Sequence, residues 1–273
     1  MCSIVVLIPV YNAEITIRKT IESLKKSSFK DWKCVIVNDG STDKSLEIIN
    51  ELIDNRFEII NYTENKGRGY ARNTGLKKIQ TLNCKYLCFL DADDMYAVDK
   101  LEWQFKFMEN NKEIDLMSCS LGLLKENQLV SIMDIFKKNI FISVKDKYVS
   151  VPFASSIIRM SSQKNIFFDE KMRYSEDQDF MRRFLLNKNY CYLNRVGYYY
   201  NKDFSSSTIK HINSIKADIY SARKNSKLLM YWIFKFKSFI KIIYYKLELN
   251  KIYSRNYERV PSAEELQNYD MLK

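Results

Sequence analysis

A single histidine, His211, and six cysteines with no Cys-x-x-Cys pair leave little from which to build a zinc site. Glycine and proline are scarce, six and three in 273 residues, so no Gly- or Pro-rich linker divides the chain and no flexible hinge is expected. No stretch of about 18 uncharged apolar residues occurs, so no helix is expected to span a bilayer. The G-x-x-x-x-G-K-[ST] pattern is missing, which removes a P-loop nucleotide site. Ser3 to Val10 is apolar and strand-like with no basic leader, so no signal peptide is expected. Cys34, Cys84 and Cys88 fall in or beside apolar runs and read as buried thiols, which suits a reducing compartment.

What is present is a core-forming composition, 46% hydrophobic and 28% charged, enough for one large domain with an appendage. The net charge of +11 points to anionic partners: nucleotide phosphates, nucleic acid or an anionic membrane surface. That charge is local. Residues 200–260 hold thirteen Lys and Arg against four Asp and Glu, a balance of +9.

The first hundred residues alternate between two textures. Ile4 to Ile8, Cys34 to Val37, Phe57 to Ile60 and Tyr86 to Leu90 are short continuous apolar runs, as in strands buried on both faces. Between them Ile17, Ile21 and Leu24, then Leu46, Ile49 and Ile53, then Leu76 and Ile79 recur at helical spacing. Strand and helix in alternation predict a mostly parallel α/β sheet flanked by helices. Beyond residue 100 the order loosens. Leu101 to Met108 and the region of Phe180 to Leu185 read as helices, Leu116 to Leu124 and Ala154 to Arg159 as strands, and residues 125–150 are the least legible.

In open parallel sheets ligands bind beyond the carboxyl ends of the strands. Three strands here end in suitable residues: Pro9-Val10-Tyr11-Asn12, Asn38-Asp39-Gly40, and Asp91-Ala92-Asp93-Asp94. Three carboxylates within four residues repel one another unless a cation intervenes, and hard oxygen ligands suit Mg²⁺ or Mn²⁺. The local alternative is an acidic turn that caps the next helix. Asp39 could accept an N–H from a uracil ring, or serve the turn that starts the following helix. Arg72 follows the loop Asn65 to Gly69 and could contact a base or a diphosphate, or lie solvated on a helix face. Ser175-Glu176-Asp177-Gln178 has the form of a capping box, which places Asp177 in the first turn of a helix. There the dipole favours the ionised form that a general base requires, although acids in first turns are also ordinary stabilisers.

Taken together these segments resemble the inverting family 2 glycosyltransferases of the GT-A fold. The matching pieces are Ile8 to Asn12, Val37 to Asp43, Asn65-Lys66-Gly67 with Ala71-Arg72-Asn73, Leu90 to Asp94, Phe168-Asp169-Glu170 and Ser175-Glu176-Asp177. Their order and spacing agree over residues 3–200. The resemblance implies a nucleotide-sugar donor, UDP-linked by preference, and a saccharide acceptor. It implies that Pro9, Tyr11, Asp39 and Arg72 hold the nucleoside, that Asp91 contacts the donor near ribose or sugar, and that Asp93 ligates Mn²⁺ or Mg²⁺. Asp177 becomes the base that deprotonates the acceptor hydroxyl, with Glu176 shaping the acceptor site. Family members often carry a His after a Tyr-rich strand. Here Tyr198-Tyr199-Tyr200 leads into Asn201-Lys202-Asp203, so Lys202 or Asp203 substitutes or the contact is absent.

The expected organisation is a GT-A catalytic domain over 1–215, with a nucleotide-binding half to about 95 and an acceptor half beyond, then a basic helical extension over 216–273. In that extension Leu229, Trp232, Phe236, Phe239, Ile240, Ile243 and Leu247 would form one face of a basic amphipathic helix. Such a helix suits an anionic membrane surface and a lipid-linked acceptor. The alternatives are packing on the catalytic domain or across a homodimer. A Lys-, Asn- and Ile-rich composition suggests a low-GC bacterium and hence, by association, surface polysaccharide synthesis; the expected location is cytoplasmic, peripheral on the inner face of the cell membrane. A pyrophosphorylase would need a Gly-rich, Arg-bearing loop after the first strand, which Pro9 to Asn12 is not. A basic nucleic-acid-binding or scaffold protein is the alternative class, but strand-end carboxylates repel phosphate and no nucleic-acid-binding signature occurs.

Overall fold

The computed structural model describes residues 2–145, 149, 151–163, 165–203, 208–225, 232, 235, 236, 238, 239, 242 and 257–272. Its elements in chain order are β1 (Cys2–Val10), α1 (Ile17–Lys25), β2 (Trp32–Asp39), α2 (Ser45–Leu52), β3 (Phe57–Tyr62), α3 (Arg68–Gln80), β4 (Cys84–Phe89), β5 (Met95–Tyr96), α4 (Lys100–Asn110), β6 (Leu116–Lys125), β7 (Gln128–Met133), β8 (Ile140–Val144), β9 (Ile157–Arg159), α5 (Glu176–Leu185), β10 (Lys188–Asn201), α6 (Thr208–Asn225), β11 (Glu258–Arg259) and α7 (Ala263–Asp270).

The strands form one sheet in the order β11-β7-β6-β9-β4-β1-β2-β3, with β10 pairing β5, β6 and β8. β1 lies parallel to both β2 and β4, and β2 is parallel to β3. The doubly buried reading of β1 holds for a physical reason: its alternate residues face two separate cores. Ile4, Val6 and Ile8 pack with Ile17, Ile21 and Leu24 of α1, Ile49 of α2, and Leu101 and Met108 of α4. Val5 and Leu7 pack on the other face with Ala71, Leu76 and Ile79 of α3 and Phe180, Met181 and Phe184 of α5. Each such side chain stabilises the fold by roughly 1.5–3 kcal/mol through burial. The parallel strands therefore deliver all their carboxyl ends to one edge of the molecule.

The second half departs from this pattern. β9 runs antiparallel to both β4 and β6, and β6 and β7 form a hairpin. Its turn residues Glu126 and Asn127 have φ of 50° and 57°, the left-handed pair that matches strand twist. β7 and β8 both fall in the stretch whose sequence was least legible. Cys84, expected as a free thiol, is instead joined to Cys2, its in-register neighbour on β1, with Cα atoms 4.7 Å apart. Cys34, Cys88, Cys119 and Cys191 are free and buried.

The C-terminal extension is not purely helical. The boundary expected at residue 215 falls inside α6, and β11 adds to the sheet by pairing with β7. α7 starts with a true capping box, Ser262 with Glu265. Tyr269 and Leu272 then pack against Ala97, Leu124, Leu129, Ile132 and Tyr199. The amphipathic helix expected from Lys227 to Leu247 lies mostly outside the described residues. Within it Trp232, Phe236 and Phe239 are described and exposed, at 54%, 67% and 60%. Among the described residues no helix is long and apolar enough to cross a membrane.

Candidate active site

A cavity of about 1050 Å³ lies at the carboxyl edge of β1, β2 and β4. The loops after β1 and β2 build one wall by bonding to each other. Asn12, at φ 48°, accepts from the Thr42 N–H (2.9 Å), and its own N–H donates to Ser41 Oγ (3.0 Å). The Ala13 N–H donates to Ser45 Oγ (2.7 Å), and the Glu14 N–H to Asp43 (3.0 Å). This zip sets Pro9 and Tyr11 in the cavity wall, with Tyr11 half exposed.

Asp39 also lines the cavity, although it is only 2% exposed. Its Oδ1 accepts from the Lys66 N–H (2.9 Å), and its Oδ2 from the Gly67 N–H (2.9 Å) and Asn65 Nδ2 (3.1 Å). A carboxylate offers about four acceptor positions, so these three bonds leave about one unused. Gly40 makes the approach feasible: its φ is 71°, and the Glu64 and Asn65 backbone leaves no room for a Cβ.

After β4 the three-carboxylate cluster divides. Asp91 and Asp93 line the cavity, whereas Asp94 is buried away from it. The Tyr198 hydroxyl (2.6 Å) and the Asn201 N–H (2.8 Å) both donate to Asp94. Burial, then Asp93 and Asp91, push the Asp94 carboxyl well above its ordinary range. Tyr198 Oη also accepts from the Asp91 N–H (3.3 Å), and Thr20 Oγ1 donates to the Ala92 and Asp94 carbonyls (both 2.9 Å). Asp94 thus anchors the loop, while Asp91 and Asp93 present it to the cavity. Among the described residues no group of three His, Cys, Asp or Glu side chains is arranged to hold a metal unaided.

Arg72, which the resemblance assigns to the nucleoside, is turned inward. It is 1% exposed and forms no part of the cavity wall. One Nη donates to Glu176 (2.7 Å) and the other to Asp91 (2.7 Å), and the guanidinium sits 4.7 Å from the Phe153 ring centre and 5.4 Å from that of Phe168. Glu176 is likewise 1% exposed and binds Arg68 as well, through Nε (2.5 Å) and Nη2 (3.2 Å). Arg72 therefore bridges the loop after β4 to the start of α5.

The capping box expected at α5 is absent. Ser175 has φ 52° in the left-handed region and makes no side-chain cap. Its hydroxyl donates instead to the Ser214 carbonyl of α6 (3.2 Å), and Gln178 donates to the Val151 carbonyl (3.1 Å). The left-handed residue turns the chain so that Asp177 faces the cavity. Burial, then the adjacent Glu176, raise the Asp177 carboxyl above its ordinary value, while Arg72 and Arg68 pull it partly back.

Neither proposed substitute for the family histidine reaches the site. Asp203 accepts from the Glu126 N–H (2.9 and 3.1 Å), and Lys202 pairs with Glu258 (3.3 Å). Tyr200 of β10 lines the cavity instead. The side chain of His211 lies outside the described residues. Sequence reasoning also missed Arg68, Arg173, Tyr174 and Ser214 in the wall. Only Arg68 carried a signal, as a base inside the Asn65 to Gly69 loop.

Alternating parallel strands and helices, with acidic residues at the strand ends and a facing acidic helix start, define the GT-A class of α/β fold. The chain belongs to glycosyl transferase family 2, which its residues 5–189 match. It is 44% identical over 147 residues to an uncharacterized glycosyltransferase of Haemophilus influenzae, covering 50% of this chain and 58% of that one. It is 40% identical over 105 residues to a putative teichuronic acid biosynthesis glycosyltransferase, TuaG, of Bacillus subtilis, covering 38% of this chain and 40% of that one. The matched stretch thus spans between two fifths and three fifths of these relatives' lengths. Among solved structures, S. aureus TarS 1-349 in complex with UDP-GlcNAc superposes with a TM-score of 0.66. At 21% identity, over 83% of this chain and 68% of that one, it supports the fold alone.

Proposed function

We propose that the protein is an inverting glycosyltransferase that moves a sugar from a UDP-sugar to an acceptor hydroxyl in bacterial surface polysaccharide synthesis. The observation that carries this reading is that Asp91, Asp93 and Asp177 share one cavity with Pro9, Tyr11 and Asp39. Pro9 and Tyr11 would flank the base, and the open position on Asp39 would accept its N–H. Asp177 takes the acceptor proton. The freed oxygen attacks the anomeric carbon opposite the diphosphate, the bond from that carbon to the phosphate oxygen breaks, and the configuration inverts. Glu176 acts on this step indirectly, by holding the turn that carries Asp177.

Two cavity-facing carboxylates suit a hard divalent ion that completes its shell with phosphate oxygens and water. Asp93 would hold Mg²⁺ or Mn²⁺ beside Asp91, and the ion when bound would neutralise charge on the departing nucleoside diphosphate. The test is a screen of nucleotide-sugars for donor hydrolysis with Mn²⁺ or Mg²⁺, with Asp93→Ala and Asp177→Asn as controls. Unchanged turnover in both variants sinks the assignment.

The same reading extends to a lipid-linked acceptor and to work at the inner face of the cell membrane. One Escherichia coli relative, 32% identical over 125 residues, is named UDP-Glc:alpha-D-GlcNAc-diphosphoundecaprenol beta-1,3-glucosyltransferase WfgD. Exposed Trp232, Phe236 and Phe239 within the strongly basic stretch are the matching feature here. Flotation with anionic phosphatidylglycerol vesicles should fall when all three become alanine; equal flotation removes the membrane contact.

A further inference from the structure

Two arginines share one buried glutamate, and they are not equivalent. The Arg72 side chain is 2% exposed, divides its fork between Glu176 and Asp91, and lies against two phenylalanine rings. Its departure would take a 2.7 Å partner from Asp91 and leave the buried Glu176 with Arg68 alone. The Arg68 side chain is 52% exposed, lies in the cavity wall, and pairs through its fork with Glu176. If Arg68 turns away, Glu176 keeps Arg72 at 2.7 Å, so no buried charge is orphaned.

The cavity has a use for such a cation. Among the described residues its wall carries Glu14, Asp39, Asp43, Asp91, Asp93 and Asp177 against Arg68 and Arg173. A diphosphate entering a wall of that charge is repelled unless cations meet it. A guanidinium matches phosphate oxygens with two parallel hydrogen bonds. Arg68 also stands close enough to Asp91 for the two charges to interact, and both line the same cavity as Asp93.

We propose that Arg68 is a phosphate-binding residue of the donor site, which exchanges Glu176 for the diphosphate oxygens of a nucleoside diphosphate. This rests on the glycosyl-transfer reading and adds a residue that neither the motif pattern nor the family resemblance assigns. Glu176 then has two tasks: a permanent partner for Arg72 and a resting place for Arg68. The exchange also removes a positive charge from beside Asp177 when the donor arrives, which makes that carboxylate a stronger base.

The experiment is calorimetric titration of wild type, Arg68→Met and Arg68→Lys with uridine, UMP and UDP in the presence of Mg²⁺. Loss of one charge-assisted fork should weaken UDP binding by about tenfold in Arg68→Met. Uridine should bind within about twofold of wild type, and Arg68→Lys should fall between, since it keeps the charge without the fork. Equal UDP affinity in wild type and Arg68→Met overturns the proposal. So does an equal loss for uridine and UDP, which would mark a general disturbance of the cavity. A wild type that binds no UDP overturns the glycosyl-transfer reading and this inference together, whereas wild-type binding with no Arg68 effect overturns only the latter.

Discussion

The two halves of this molecule position their functional residues by different means. From β1 to β4 the candidate residues that line the cavity sit at strand ends: Pro9 in the last residues of β1 and Tyr11 just beyond it, Asp39 at the end of β2, Asp91 and Asp93 after β4. Backbone register alone carries them to one edge. From β6 onward the turn that carries Asp177 is held by side chains reaching across the fold: Arg72 to Glu176, Ser175 to α6, and Arg182 to Asp218 (2.7 Å) and Ser221 (3.1 Å). The proposed donor side is therefore placed by topology and the proposed acceptor side by polar cross-links. Substitutions should respect that difference.

The largest expected effect is chemical. Asp177→Asn should lower kcat by about 10³-fold, within the range for a lost general base, and leave UDP affinity unchanged. A matching loss in UDP affinity would mean that Asp177 belongs to the donor side and would erase the division between halves. The pH dependence sharpens the same point. Burial and Glu176 raise the Asp177 carboxyl, and a base must be ionised to act. In wild type, kcat should therefore fall with falling pH through a midpoint above the ordinary Asp value of about 3.9. A midpoint at or below that value would assign the limb to another group.

The next effect tests the joint between halves. Asn73, on α3 of the first half, accepts from the Phe168 N–H (2.7 Å) and donates to the Phe168 carbonyl (3.0 Å) and to Glu170 (2.7 Å), while itself 4% exposed. Asn73→Ala leaves buried backbone groups unpaired and should cost about 2–4 kcal/mol, a drop of roughly 5–10 °C in Tm. A Tm within about 2 °C of wild type would show that the second half holds itself in place.

That asymmetry also decided what could be read from the sequence. Period and strand-end polarity pointed to β1 to β4, α1 to α3 and the acidic cluster Asp91 to Asp94, because those features are local; the resemblance then singled out Asp91 and Asp93. The antiparallel additions β7, β8 and β11 carry short patterns whose pairing depends on distant strands. Ser175 read as a helix cap because its spacing to Gln178 fits one. The left-handed turn there depends on contacts with α6 and the Val151 carbonyl that no local pattern encodes. Asp94 looked equivalent to its neighbours until Tyr198, 104 residues away, claimed it. Arg72 read as a ligand contact because the buried acid Glu176 that captures it is likewise 104 residues distant.

A smaller effect probes how firmly the loop after β4 is tied to β10. Tyr198→Phe removes the donor to Asp94 and the acceptor for the Asp91 N–H at once. Denaturant unfolding should report a loss of about 1–3 kcal/mol, because the Asn201 N–H still serves Asp94. A cost of zero would return Asp91 and Asp93 to placement by the strand alone.

The smallest effect belongs to the returning C-terminus, where the two means of positioning can be compared in one place. Arg259 on β11 donates to Asp134 through Nε (2.7 Å) and to Glu265 through both Nη atoms (2.8 and 2.6 Å), so it looks like the fastening of α7. Its side chain is nevertheless 42% exposed, and solvent screens most of that attraction. The apolar contacts of Tyr269, 3% exposed, and Leu272 are not screened at all. Arg259→Met should therefore cost under about 1 kcal/mol at low salt, and the difference from wild type should shrink further in 1 M salt. If unfolding curves instead show a loss above about 2 kcal/mol that survives high salt, the C-terminus is fixed by polar cross-links like the turn at Asp177, and apolar docking is not what holds it.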